Sequence, residues 1–114
     1  MDGRIAYATS MMKLRLGSQL NITTMAAKVN LAPEHFCRLF RTEIGVPPGR
    51  YFKELRMEES KKLLATSFLS TQEIIFRVGL RDYSHFVRDF KARYGTTPRK
   101  FRHQCSVVPL LFEY

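Results

Sequence analysis

Apolar positions recur three and four residues apart along most of the chain, the spacing of helices with one buried face. Met25, Ala26 and Val29 fall on one such face. Asn21 is placed to cap that helix, with Leu20 and Met25 as a hydrophobic staple across its start. Pro33 suits the first position of a second helix, whose buried face is Phe36, Leu39, Phe40 and Ile44. Gly45 is placed to stop it in a left-handed conformation. The intervening Asn30-Leu31-Ala32 is too short to be a loop between independent elements, so the pattern predicts two helices joined by a tight turn.

The plan is then written a second time. HFCRLFRTEIGVPP (35–48) and HFVRDFKARYGTTP (85–98) share His, Phe, Arg, Phe, Gly and Pro in register, fifty positions apart. A repeat at such a period is a statement about architecture. Around the second copy, Ser70-Thr71-Gln72-Glu73 reads as a capping box, and Leu69 can staple to Ile74. Gly79 supplies the positive φ of a sharp turn, Asp82 caps the next helix, Phe86, Phe90 and Tyr94 form its buried face, and Gly95 ends it. The first copy has Ala32 at the capping position, a weaker start by about 1 kcal/mol.

Between the copies, residues 50–66 read as one amphipathic helix. Tyr51, Leu55, Leu63 and Leu64 are expected to be buried, with Lys53, Glu54, Glu58, Glu59, Lys61 and Lys62 solvated. A first helix before Leu20 turns Ile5, Ala8 and Met12 inward. The resulting organisation is all-α: two helix-turn-helix subdomains, about residues 4–49 and 67–102, joined by a linker helix over about 50–66, within one domain spanning 1–102. Residues 103–114, with a proline and no helical register, read as a tail of uncertain order.

Charge narrows the function. Lys and Arg number 19 against 10 Asp and Glu, a net charge of +9, and residues 77–102 hold eight basic and two acidic side chains. Such a balance attracts polyanions. No apolar run approaches the roughly 20 residues of a membrane span, and the N-terminus lacks the apolar core of a signal peptide, so a cytoplasmic setting without membrane contact is expected. The two cysteines, Cys37 and Cys105, and three scattered histidines match no zinc spacing, and no nucleophile–base pair stands out; neither a metal, a cofactor nor an enzymatic activity is expected.

What faces outward carries the candidate chemistry. At about 100° per residue, the side opposite Phe36 and Phe40 presents Glu34, Cys37, Arg38 and Arg41. The matching set in the second copy is Ser84, Val87, Arg88 and Lys91. Arg38 and Arg88 suit bidentate contacts to guanine O6 and N7, Ser84 can donate or accept, and Val87 can pack on a thymine methyl. Glu34 can accept from cytosine N4 or simply favour the helix dipole, and Arg41 and Lys91 suit phosphate as well as base. Cys37 reads as an ordinary small side chain, Asp89 as a local salt-bridge partner, and His35 and His85 as flanking groups.

Residues 74–102, IIFRVGLRDYSHFVRDFKARYGTTPRKFR, resemble the signature of the AraC/XylS family of bacterial transcription regulators. Ile74, Gly79, Ser84, Phe86, Phe90, Lys91, Gly95, Pro98 and Arg102 match it; Ile75 stands where alanine is usual and Leu80 where phenylalanine is usual. The first copy fits through Ala26, Phe36, Phe40, Gly45, Tyr51, Leu55 and Arg56, and departs at Ala32, usually a serine cap. The resemblance implies about seven helices and sequence-specific binding of double-stranded DNA, with both recognition helices in successive major-groove segments. It adds Tyr83 to the second reading face and RNA polymerase as a further partner, and it leaves the family's usual effector or dimerisation domain without a counterpart in this chain. Two rivals share the same basic face: a nonspecific nucleic-acid binder, and an interaction module that contacts the polymerase.

Overall fold

The computed structural model describes residues 1–105. Among them, the backbone forms seven helices and no strand: α1 Gly3–Leu14, α2 Ile22–Lys28, α3 Pro33–Ile44, α4 Pro48–Thr66, α5 Thr71–Arg77, α6 Tyr83–Tyr94 and α7 Pro98–Gln104. The chain divides into two compact units, Met1–Leu55 and Arg56 onward, so the division falls inside α4.

In the first unit, Ile5, Ala8 and Met12 of α1 meet Ala26, Val29, Phe36, Phe40 and Phe52 in one buried cluster. α1 starts on Asp2, whose carboxylate accepts from the Arg4 amide at 2.8 Å and pairs with the Arg4 guanidinium at 2.8 Å. α2 starts on Asn21, which accepts from the Thr24 amide at 3.0 Å. In the second unit, Met57 and Leu64 of α4 meet Ile74, Ile75, Phe86 and Phe90. α5 carries the full capping box, Ser70 and Glu73 each holding the other's amide. Fully burying one phenylalanine is worth roughly 1.5–3 kcal/mol, so the paired phenylalanines of α3 and α6 are the principal anchors of their units.

The sequence repeat is a repeat of geometry. Phe36 and Phe40 lie 5.9 Å apart at 49°, and Phe86 and Phe90 lie 5.8 Å apart at 47°. Tyr51 packs edge-on to Phe40 at 5.5 Å, and Phe101 does the same to Phe90 at 5.7 Å. Pro48 and Pro98 are both buried at the starts of the helices that follow. α7 therefore does for α6 what the first turns of α4 do for α3.

Both turns close in the same way. Asn30, at φ 60°, and Gly79, at φ 82°, occupy the left-handed position after α2 and α5. The next amides reach back, Leu31 to the Ala26 carbonyl and Leu80 to the Ile75 carbonyl, each at 3.0 Å. This is the Schellman closure, and Leu31 and Leu80 complete it by packing on their cores. The second turn is one residue longer: residues 29–32 separate α2 from α3, whereas 78–82 separate α5 from α6. The added length admits a dedicated cap, Asp82, which accepts from the His85 amide at 2.9 Å.

Three expectations need correcting. The inward side of α4 is Phe52, Met57, Ser60 and Leu64; Tyr51, Leu55 and Leu63 are only half-buried. A single amphipathic stripe fails because the early turns serve one core and the later turns another. Ser60 was hidden from a hydropathy reading because its buried hydroxyl is satisfied locally, donating to the Arg56 carbonyl at 2.7 Å. Lys53, Glu54, Glu59 and Lys61, expected in solvent, are half-buried, Lys61 with its ammonium 4.5 Å above the Tyr94 ring. Finally, His103 and Gln104 belong to α7 and not to a tail; residues 106–114 lie outside the described residues.

Candidate nucleic-acid interface

α3 and α6 are held by their phenylalanines and closed at the C-terminus by Gly45, at φ 97°, and Gly95, at φ 78°, where an L side chain would be strained. That fixes the rotation of each helix and hence what its other side presents. On α3, Glu34, Arg38 and Arg41 are exposed. On α6, Tyr83, Ser84, Arg88 and Lys91 are exposed. Among the described residues, the four cations Arg38, Arg41, Arg88 and Lys91 carry no ion pair. They are neither neutralised nor tied down, so their full charge and donor capacity face solvent.

Cys37 and Val87 occupy matching places and differ from the outward expectation: both are half-buried and pack against their cores. Each sits at the edge of its exposed face, offering one apolar flank. Pro33, Glu34, Cys37 and Arg38 line a shallow hollow on the surface of α3. The His85 Nε2 lies 3.4 Å from the Asp89 carboxylate one turn onward, a local contact for that acidic group.

Several structural duties fall on residues that a face-by-face reading does not single out. Arg102 turns inward, its Nε donating to the Leu64 carbonyl at 3.0 Å and its terminal nitrogen to the Ser67 carbonyl at 3.4 Å. It thereby satisfies carbonyls at the C-terminus of α4, and partial burial lowers its pKa from the usual arginine value. Thr97 caps α7, accepting from the Lys100 amide at 3.2 Å. Arg50, Arg99 and Lys100, in the first turns of α4 and α7, are exposed cations outside the two reading faces; the recurring Gly-x-x-Pro before them is the signal that marks those turns. Among the described residues, no three His, Cys, Asp or Glu side chains are grouped to hold a metal, and no helix is long and apolar enough to cross a membrane.

A family model described as a helix-turn-helix domain matches residues 25–104. The Msm operon regulatory protein of Streptococcus mutans is 32% identical over 102 residues, covering 87% of this chain and 37% of that protein. The arabinose operon regulatory protein of Escherichia coli is 30% identical over 107 residues, covering 93% of this chain and 37% of that protein. A solved transcriptional regulator from Chromobacterium violaceum, described as containing an AraC-type DNA-binding domain, superposes with a TM-score of 0.84 at 26% identity, covering 92% of this chain and 94% of that one.

The chain belongs to the AraC/XylS family.

The DNA-binding domain of AdpA, solved in complex with a target DNA, is a further neighbour at a TM-score of 0.80 and 26% identity, covering 88% of this chain and 90% of that one. The chain spans little more than a third of the length of the two curated AraC/XylS relatives above. Its departures from the family signature are accommodated by packing: Ile75 is buried in the second core and Leu80 lies against it. The departure at Ala32 is different in kind, because α3 has no side-chain hydrogen bond at its N-cap.

Proposed function

We propose that this domain binds double-stranded DNA sequence-specifically for transcription regulation, with α3 and α6 entering successive major-groove segments. The observation that carries the reading is the pair of equivalent helices whose exposed faces hold four cations without ion pairs among the described residues. A B-form major groove admits one α-helix, and phosphate neutralisation supplies the sequence-independent part of the affinity. Arg38 and Arg88 read guanine, Ser84 and Tyr83 offer hydroxyls to base edge or backbone, Val87 and Cys37 supply the apolar flank for a thymine methyl, and Glu34 accepts from cytosine. Arg41, Lys91 and the cations opening α4 and α7 hold phosphates. The AdpA neighbour, solved with a target DNA, supports DNA as the partner. The operon-regulator relatives support a role in transcription regulation, and the reading takes a cytoplasmic setting and RNA polymerase as a protein partner with it.

Selection of sites from a random duplex pool at physiological salt tests this reading. Two short enriched blocks about one helical turn apart are the expected result. A single block would remove one helix from base reading. Retained binding without enrichment would overturn the sequence-specific reading in favour of phosphate contact alone.

A further inference from the structure

We propose that the first unit carries a binding site for a small amphipathic carboxylate, about the size of benzoate, in the cavity formed by α1, the loop after it, α2 and Phe52. The cavity holds about 120 Å³, and its apolar floor includes Met12, Leu20, Met25 and Phe52. An apolar cavity of roughly 150 Å³ encloses benzene; this one is smaller but open to solvent on one side, so it seats part of a single ring, or a short alkyl chain, with the polar end outside. Three methionines, Met11, Met12 and Met25, line it, and their unbranched side chains reshape around an irregular guest.

The mouth selects the charge. Arg15 and Lys28 border the opening, both exposed and neither in an ion pair among the described residues. Among the described residues no acidic side chain lines the cavity, and residues 3–33 contain none at all. A guest with a ring in the floor and a carboxylate at the mouth therefore meets apolar contact and positive charge together. A neutral ring forgoes the second contribution, and a bare carboxylate the first. None of its lining residues belongs to α3 or α6, so it can be tested without DNA. An occupant would brace α2 against α1 and stabilise the folded unit by mass action.

The test is a titration of the full chain, without DNA, followed through the methionine methyl signals by NMR at constant ionic strength. Benzoate, benzyl alcohol and acetate are the probes. Benzoate should shift the Met12 and Met25 methyls saturably while Met57, in the second unit, stays fixed. Benzyl alcohol should bind about fivefold more weakly, the loss expected from two exposed charge contacts, and acetate should leave the floor methyls unmoved. The double variant Arg15→Gln/Lys28→Gln, altered only at exposed positions, should keep the native spectrum and lose the preference for benzoate. The proposal is overturned by the absence of saturable shifts at Met12 and Met25, by benzyl alcohol binding as tightly as benzoate, or by an unchanged benzoate affinity in the double variant.

Discussion

Replacing Ala32 by serine should strengthen the start of α3. Ala32 stands at φ −65° and ψ 147°, close to the φ −66° and ψ 160° of Ser70, whose hydroxyl caps α5. A serine side chain can therefore reach the His35 amide without backbone movement. The corresponding bonds elsewhere measure 3.0 Å from Thr24 to Asn21, 3.1 Å from Glu73 to Ser70 and 2.9 Å from His85 to Asp82. Pro33 already removes one orphan amide from the first turn, so one added acceptor is a large share of what remains. Exchanging alanine for a side-chain cap is worth about 1 kcal/mol, within a range of roughly 0.5–2. For a unit of this size that raises the melting temperature by about 4–8 °C. Calorimetry should report the rise, and hydrogen exchange should show slower loss at the His35 amide. Asp82→Ala should cause a comparable fall in the second unit. If Ala32→Ser leaves both the melting temperature and His35 exchange unchanged, a missing cap is not what distinguishes α3 from α6.

Arg88→Ala should cost about 1–3 kcal/mol of affinity and relax preference at one base position; competition binding with single-base variants of the selected site decides it, and equal loss on every sequence would make Arg88 a phosphate contact. Arg102→Ala should destabilise the second unit by about 2 kcal/mol in urea unfolding, because two carbonyls at the end of α4 lose a charged donor. Gly45→Ala and Gly95→Ala should each cost about 1–2 kcal/mol. A Cβ at either glycine meets open space, so conformational strain and not collision sets that figure, and asparagine should cost less in the same unfolding assay. Stability should also fall in acid. Asp2 is pushed down to about 2 by the Arg4 guanidinium and amide, and Glu73 is lowered by the Ser70 amide and hydroxyl. The stabilisation from these carboxylates is complete above their unfolded values near 4 and is lost as pH drops through the folded ones. Asp2→Asn and Glu73→Gln should flatten that decline in a pH series of melting temperatures.

Much of the fold was legible because its signals are local. Asn21, Ser70 and Asp82 each bind an amide three residues onward, and Gly45 and Gly95 each adopt the backbone that glycine permits. The phenylalanine spacing in α3 and α6 identified their buried sides, and so the exposed Arg38, Arg41, Arg88 and Lys91. Asn30 carried the same backbone message as Gly79 in a less familiar letter, since asparagine tolerates a positive φ. The repeated fourteen residues answer to a repeated object: two helices of matching length, packed through matching rings.

What lies beyond local reach was decided by tertiary contact. Met57 and Ser60 are buried because α4 changes the core it serves along its length, a division no single helical stripe records. Arg102 looks like one more surface cation in a basic stretch, yet its partners are carbonyls more than thirty residues earlier. The half-buried state of Cys37 and Val87 follows from what packs against their helices, not from their positions on a wheel. The cavity beside α1 exists only because side chains far apart in sequence, Met12 and Phe52 among them, fail to fill the space between them. Hydrogen bonds three or four residues long are written in neighbouring letters; burial is a property of whatever arrives from elsewhere in the chain.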